Sequence, residues 1–425
     1  MSRAAAKLNL GSWTDGAQGD KLLADAITDT GRALELNPRR RETWILRADA
    51  RSNLGVRMDR RGDDPISLFE NAIRDLDRAV ELSPKHPGAR ARRGVTRMNL
   101  ANTLRNRGED SAALYQAALK DLDEAVEINS SDAEIRAWRG DVYVNWARLK
   151  ARSGENPPEF YRSAVADYDE AIRSNPRQAQ ALKSRASVRN QFANDKASRG
   201  ENPTSDYEAA VADYTRALDV NPRDVEALDA RGVTRSNWSA YATSRDRAEE
   251  LCRAAVDDAT ETIRLAPGVA KYRDHRGTSR KNWGALRYEK WGEDPLPLFE
   301  PALEDYAQAV KLNPRAVESW EGSGSLRMHM GILLMDRGKD ARDVLTAAVA
   351  DLDRAIVLAP KDPQLRLYRG TAYYNRGRLR AAYHEDASGD FREVLADYGE
   401  AIRLNSALKA DVEQIMDDCR RRLKE

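Results

Sequence analysis

Residues Ala164–Pro176 read AVADYDEAIRSNP, and close copies of this stretch recur from one end of the 425-residue chain to the other. With the final proline as an anchor, the series runs Pro38, Pro84, Ser130, Pro176, Pro222, Pro267, Pro314, Pro360 and Ser406, at gaps of 46, 46, 46, 46, 45, 47, 46 and 46 residues. A period held this tightly is the mark of a repeat architecture, in which each unit buries its apolar face against its neighbours. The period therefore overrules the two or three globular domains that length alone suggests.

Each period reads as two helices. The first, helix A, begins near the third residue after an anchor and ends about 24 residues on at Gly62, Gly108, Gly154, Gly200 or Gly338, with Gly292 one residue later. Glycine after a helical run supplies a left-handed C-cap. Asp64-Pro65, Asn156-Pro157, Asn202-Pro203 and Asp294-Pro295 follow, each an N-cap with proline in the first turn, so helix B starts there and runs to the next Asn-Pro. A helix A of ~21 residues is ~30 Å long, and the short connections make the two helices antiparallel neighbours.

Helix B carries alanine twelve residues before the anchor, a small residue five before it, and tyrosine or leucine between them: Leu76, Leu122, Tyr168, Tyr214, Tyr306, Leu352, Tyr398. Helix A answers with a small residue ten after the anchor: Ala48, Gly94, Gly140, Ala186, Gly232, Gly277, Gly324, Gly370. Mid-helix glycine costs ~1 kcal/mol against alanine, so close helix packing is its expected reason. An aspartate lies nine before every anchor, from Asp29 to Asp397, and arginines lie nine and thirteen after most of them. The two arginine positions share one helix face. The pattern predicts an Arg–Asp strut within each unit, in preference to a row of anion sites.

These residues resemble tetratricopeptide repeats, of the bacterial type with RG in helix A and ADYxxAIxLNP in helix B. The resemblance covers 21–405 and implies an all-α, right-handed α-solenoid of antiparallel helix hairpins, with about eight full repeats. The units depart from that family's 34 residues by about twelve more, placed where helix A turns into helix B. Residues 1–20 then correspond to a truncated first helix A. Residues 406–425, with Leu408, Val412, Ile415, Met416, Cys419 and Leu423 on one stripe, form a capping helix. At the front, either a shortened helix serves as cap or the chain is the tail of a longer protein.

Composition narrows the function. Charged residues make up 33% of the chain but the net charge is +1, which does not favour nucleic acid. No apolar run suits a membrane span or a signal peptide, and two cysteines fit a reducing compartment, so a cytoplasmic protein is expected. His86, His275, His329 and His384 are scattered, without metal or catalytic spacing, so no enzyme activity and no cofactor is expected.

One further regularity points to binding. Fifteen after the anchor lie Asn53, Asn99, Asn145, Gln191, Asn237, Asn282 and Asn375, with His329 in the remaining unit. This position is 120–160° round the helix from the arginines. The family resemblance implies that helix A lines an inner groove, where a ladder of amides, each both donor and acceptor, can hold an extended peptide by its backbone. The competing reading has each amide bonding its neighbour in the next helix A. Trp146, Trp238 and Trp283 fall on the arginine side and are expected in the core. A terminal-carboxylate clamp is not expected, because Lys271 and His275 are preceded in the neighbouring unit by Ala230 where asparagine is needed. The function expected is a non-enzymatic scaffold that binds a protein or peptide; the alternative is a regulatory tail of a larger enzyme such as a bacterial kinase.

Overall fold

A computed structural model describes residues 2–14, 16–155 and 158–424. Among the described residues the chain is all-helical: α1 (Ser2–Trp13), α2 (Gly16–Leu36), α3 (Arg41–Arg61), α4 (Ile66–Leu82), α5 (Pro87–Asn106), α6 (Ala112–Ile128), α7 (Ala133–Arg152), α8 (Pro158–Ser174), α9 (Ala179–Ser198), α10 (Thr204–Val220), α11 (Val225–Ser239), α12 (Arg245–Leu265), α13 (Ala270–Trp291), α14 (Leu296–Leu312), α15 (Val317–Asp336), α16 (Arg342–Leu358), α17 (Pro363–Ala382), α18 (Ser388–Leu404) and, after a 3₁₀ turn, α19 (Lys409–Arg422). They follow one another as antiparallel pairs, odd helix against the next even one. Two compact units are formed, Met1–Phe192 with Thr215–Pro222, and Ala193–Tyr214 with Arg223–Glu425.

The punctuation follows the expected chemistry. Gly62, Gly108, Gly154, Gly200, Gly292 and Gly338 all have φ between +66° and +82°. At Gly62 the N–H reaches back to the Asp59 carbonyl and that of Asp63 to Met58, which closes the end of α3. The last unit has no glycine there, and His384 takes the left-handed position at φ +59°. At the helix B starts, Asp64, Asp110, Asn202, Asp294, Asp340 and Asp386 each accept a bond from the backbone N–H two residues on, at 2.9–3.2 Å. Pro65 and Pro295 sit just before the first helical residue, one position earlier than expected. Asn156-Pro157 lies outside the described residues.

Close packing explains the helix A glycines. A Cβ built on Gly140 would stand 2.7 Å from the Tyr168 ring, on Gly324 2.6 Å from Leu352, and on Gly370 2.5 Å from Tyr398. The large residue of helix B fills the space that the glycine leaves. The struts form as well. Asp75 is 2% exposed and accepts from Arg47 Nε at 2.9 Å, Arg47 Nη2 at 2.6 Å and Arg51 Nη1 at 2.5 Å. Asp121, Asp258 and Asp305 are held in the same way by Arg93 and Arg97, Arg231 and Arg235, and Arg276 and Arg280. Asp351 is bonded by Ser323 and Arg327 instead, and Asp29 by Lys7.

Two units depart from the expected helix lengths. Helix α11 has 15 residues rather than ~20 and stops at Ser239, while α12 has 21 and starts one turn early. The cause is local: Asp246 occupies the place of the capping glycine, and Ser244 accepts a bond from the Arg247 N–H at 3.3 Å, which starts α12 before α11 could extend. Helix α2 also has 21 residues and begins at Gly16, inside the segment assigned to a truncated helix A. At the other end, Val412 and Cys419 of α19 are buried against Phe391, Val394 and Tyr398, with Ile415, Met416 and Leu423 packed around them.

Candidate functional site

The position fifteen after each anchor does not behave uniformly. Asn53 donates to Ser12 Oγ of α1 at 2.9 Å, and Asn145 to the Asp141 carbonyl at 2.8 Å, with Met98 Sδ of α5 at 3.7 Å. Asn375 does not open onto a groove: it is 7% exposed and its amide turns back on the Thr371 carbonyl at 2.9 Å. At these three positions the amide is satisfied within the chain. Gln191 is exposed. Asn99 and Asn237 are half-buried, and neither side chain has a hydrogen-bond partner among the described residues. Asn282 makes one long bond, 3.4 Å, to Ser236 Oγ.

Three consecutive members of the row, Asn237, Asn282 and His329, meet around open space. The early end of α11 leaves a cleft of about 450 Å³ between the last turn of α9 and α13, lined by Asn194, Tyr207, Asn237, Tyr241, Asn282 and Glu289 among others. On the other side of α13 a second cleft of about 300 Å³ is lined by Asn282, Tyr288, Glu289, Phe299, His329 and Asp336 among others. Asn282, Ala285 and Glu289 border both, so the two clefts flank one helix face. All of these residues belong to the second unit.

The floor of the first cleft is firm. Tyr207 is 2% exposed and donates its hydroxyl to Asn194 Oδ1 at 2.7 Å; burial, with Tyr241 beside it, pushes its pKa up to about 12, so it stays a neutral donor. Tyr241 stands 39% exposed with its ring centroid 6.1 Å from that of Tyr207. Lys290 donates to the Ala240 carbonyl at 2.8 Å and ties the loop after α11 to α13. In the second cleft Phe299, Leu326 and Leu333 are buried, Tyr288 is 42% exposed, and burial, opposed by a bond to the Ser325 carbonyl, lowers the His329 pKa.

The tryptophans are packed away from this row. Trp146 lies 4.8 Å from Phe160, Trp238 is 4% exposed, and Trp283 donates to Glu249 at 3.1 Å. Lys271 and His275 both turn to Asp229, at 3.7 and 2.6 Å, rather than toward a ligand. The residues that sequence reasoning missed are Tyr241, Tyr288, Glu289 and Asp336. The signal that could have found the first cleft was Asp246 in the place of the capping glycine.

No family model and no curated protein matches the chain. The solved structures it is similar to include tetratricopeptide-repeat proteins. YrrB, described as having an unusual peptide-binding site, is 20% identical over 57% of this chain and 95% of its own, with a TM-score of 0.35. A thermophilic tetratricopeptide protein from Thermus thermophilus is 19% identical over 54% of this chain and 98% of its own, at 0.38. A tetratricopeptide protein from Parabacteroides merdae is 14% identical over 76% of this chain and 98% of its own, at 0.41. Among the described residues no helix is long and apolar enough to cross a membrane.

Proposed function

We propose that this chain is a tetratricopeptide-type scaffold that binds an extended peptide along α11, α13 and α15. The carrying observation is that Asn237, Asn282 and His329 border two adjoining clefts on one row of helices. Neighbouring helices are spaced by about 8–10 Å and an extended chain rises about 3.3 Å per residue, so one row member meets every third peptide residue. A side-chain amide offers both a donor and an acceptor to a peptide group, and Asn237 has neither engaged within the chain. The peptide side chains between these contacts have the clefts to enter, with Tyr241 and Tyr288 exposed at their edges. The ladder is thus confined to part of the array. Asn53, Asn145 and Asn375 serve the fold, in keeping with the amides they already bond.

The setting proposed is intracellular. Cys252 and Cys419 are buried thiols, and burial pushes each pKa up to about 11, which keeps them unreactive. The scaffold reading is tested with an array of capped dodecapeptides of randomised sequence, probed with the wild type and with Asn237→Ala/Asn282→Ala. Two neutral hydrogen bonds lost are worth about 1–3 kcal/mol together, so binding should weaken roughly fivefold or more. Equal binding by the double variant, with its helicity intact, removes the row from consideration.

A further inference from the structure

The second cleft has a chemistry that the amide row does not explain. Its centre is apolar: Phe299, Leu326 and Leu333 are buried there and Ile332 is half-buried. At one end stand two carboxylates, Glu289 on α13 and Asp336 on α15. Both lie 22 residues after their anchors, Pro267 and Pro314, and so come at the same level of neighbouring helices. Both are exposed, and among the described residues neither takes part in a hydrogen bond or an ion pair. Three other carboxylates of this region, Glu249, Asp294 and Glu293, are engaged by Arg287, Arg337 and Arg245 respectively. Tyr288, 42% exposed, lines the same cleft as the two carboxylates.

We infer that this cleft takes the side chain of a lysine or arginine from the bound peptide, with its alkyl stem on the apolar floor and its cation between Glu289 and Asp336. Long cationic side chains bury their methylenes while the charged head reaches polar groups, and this cleft supplies both surfaces in that order. Tyr288 adds a ring that a cation can approach. The remaining charged group in the cleft, Lys281, lies eight residues before Glu289 on α13, about 12 Å away along the helix. It faces Asp274 and Glu321, whose charges act on it, so the cationic end of a ligand is directed to the opposite end of the cleft. His329 adds no opposing charge at neutral pH, because burial holds its imidazole below the ordinary value. The peptide is therefore a basic one, and it complements the two carboxylates at that end of the cleft.

This assignment rests on the peptide-scaffold reading, and one experiment separates the two. Capped dodecapeptides of alanine and serine, with one central position set to lysine, arginine, norleucine or glutamate, are arrayed and probed with three proteins at 50 and 500 mM salt. The wild type should favour lysine and arginine over norleucine by about fivefold to tenfold at low salt, and less at high salt, as two part-exposed charge contacts allow. Glu289→Gln/Asp336→Asn should bind the norleucine peptide as before and lose the basic preference. Asn237→Ala/Asn282→Ala should bind all peptides more weakly and keep the preference. Wild type that does not distinguish lysine from norleucine overturns the inference, as does a preference that survives in Glu289→Gln/Asp336→Asn. Absence of binding to any peptide overturns it together with the scaffold reading. If Asn237→Ala/Asn282→Ala binds as wild type while the preference follows Glu289 and Asp336, the amide row falls and the basic specificity stands.

Discussion

Removing Asp75 tests what holds each hairpin together. Asp75→Ala deletes a carboxylate that accepts three N–H bonds at 2.5–2.9 Å from Arg47 and Arg51, whose side chains are 16% and 18% exposed. The alanine leaves two guanidinium groups without their carboxylate; Arg51 keeps only a 3.2 Å bond to the Asn71 carbonyl. Breaking a buried pair by deleting one partner costs about 3–5 kcal/mol, and the partial exposure of both arginines sets the expectation near 3 kcal/mol. Asp351 provides an internal scale. It is held by Ser323 at 2.6 Å and by Arg327 at 2.9 Å, the latter 31% exposed, so Asp351→Ala should cost about 1–2 kcal/mol. A repeat array does not unfold as one unit, so the assay is amide hydrogen exchange read at α3 and α4 for the first variant and at α15 and α16 for the second. A third protein, Asp75→Leu/Arg47→Met/Arg51→Leu, separates stranded charge from lost packing, because an apolar replacement of the whole triad should recover most of the loss. Asp75→Ala within ~0.5 kcal/mol of wild type, or an apolar triad as unstable as the single variant, would refute the strut.

Other outcomes follow from single positions. His384→Gly should stabilise the last repeat by about 0.5–1 kcal/mol, since a left-handed backbone strains any residue with a Cβ; the check is slower amide hydrogen exchange across α17 and α18. Gly370→Ala should destabilise by about 1–2 kcal/mol despite better helix propensity, because the new Cβ would stand 2.5 Å from Tyr398. Gly31→Ala, where the nearest atom would be 3.9 Å away, should instead stabilise by up to ~1 kcal/mol, read from amide hydrogen exchange across α2 and α3. Burial opposes a charged His275, but the Asp229 carboxylate at 2.6 Å, helped by Asp274, prevails and raises its pKa. A raised folded value means stability that is complete below the unfolded pKa near 6.5 and is lost as pH rises through the folded one. The stability difference between wild type and His275→Gln should therefore shrink between pH 5.5 and pH 8.5; a difference that is flat or grows contradicts the ion pair.

Much of this fold was legible because its signals are local and repeated. The glycine after helix A, the Asp or Asn before helix B and the Asn-Pro between units each act on a backbone group within a few residues, and the repeats show them many times over. The glycine–tyrosine contacts were legible for a related reason: a costly residue kept at one register implies a close neighbour. The same regularity concealed α11. A frame drawn from the other units places helix at 240–244, and only Ser244 and Asp246 say otherwise. The amide row was half legible. Helical periodicity tells which residues share a face, but not what lies over that face. Nothing in the spacing says that Ser12 reaches Asn53 or that the Asn375 amide closes on its own helix. Glu289 and Asp336 could not be singled out among 69 acidic residues, because what distinguishes them is their place together at the end of one apolar cleft, which is a property of three dimensions.

The shortening of α11 and the lengthening of α12 offset one another, so that Pro222 and Pro267 are still 45 residues apart. The opening was thus made by sliding one loop along the chain, at almost no change in repeat length. Because repeat units draw their stability mainly from nearest neighbours, such an edit is transferable. Grafting the 240–247 segment into the matching place of another unit should carve a new cleft there, and restoring a glycine at 246 with helix-forming residues before it should fill the existing one. The array behaves in this respect like a rack whose slots can be reassigned one at a time.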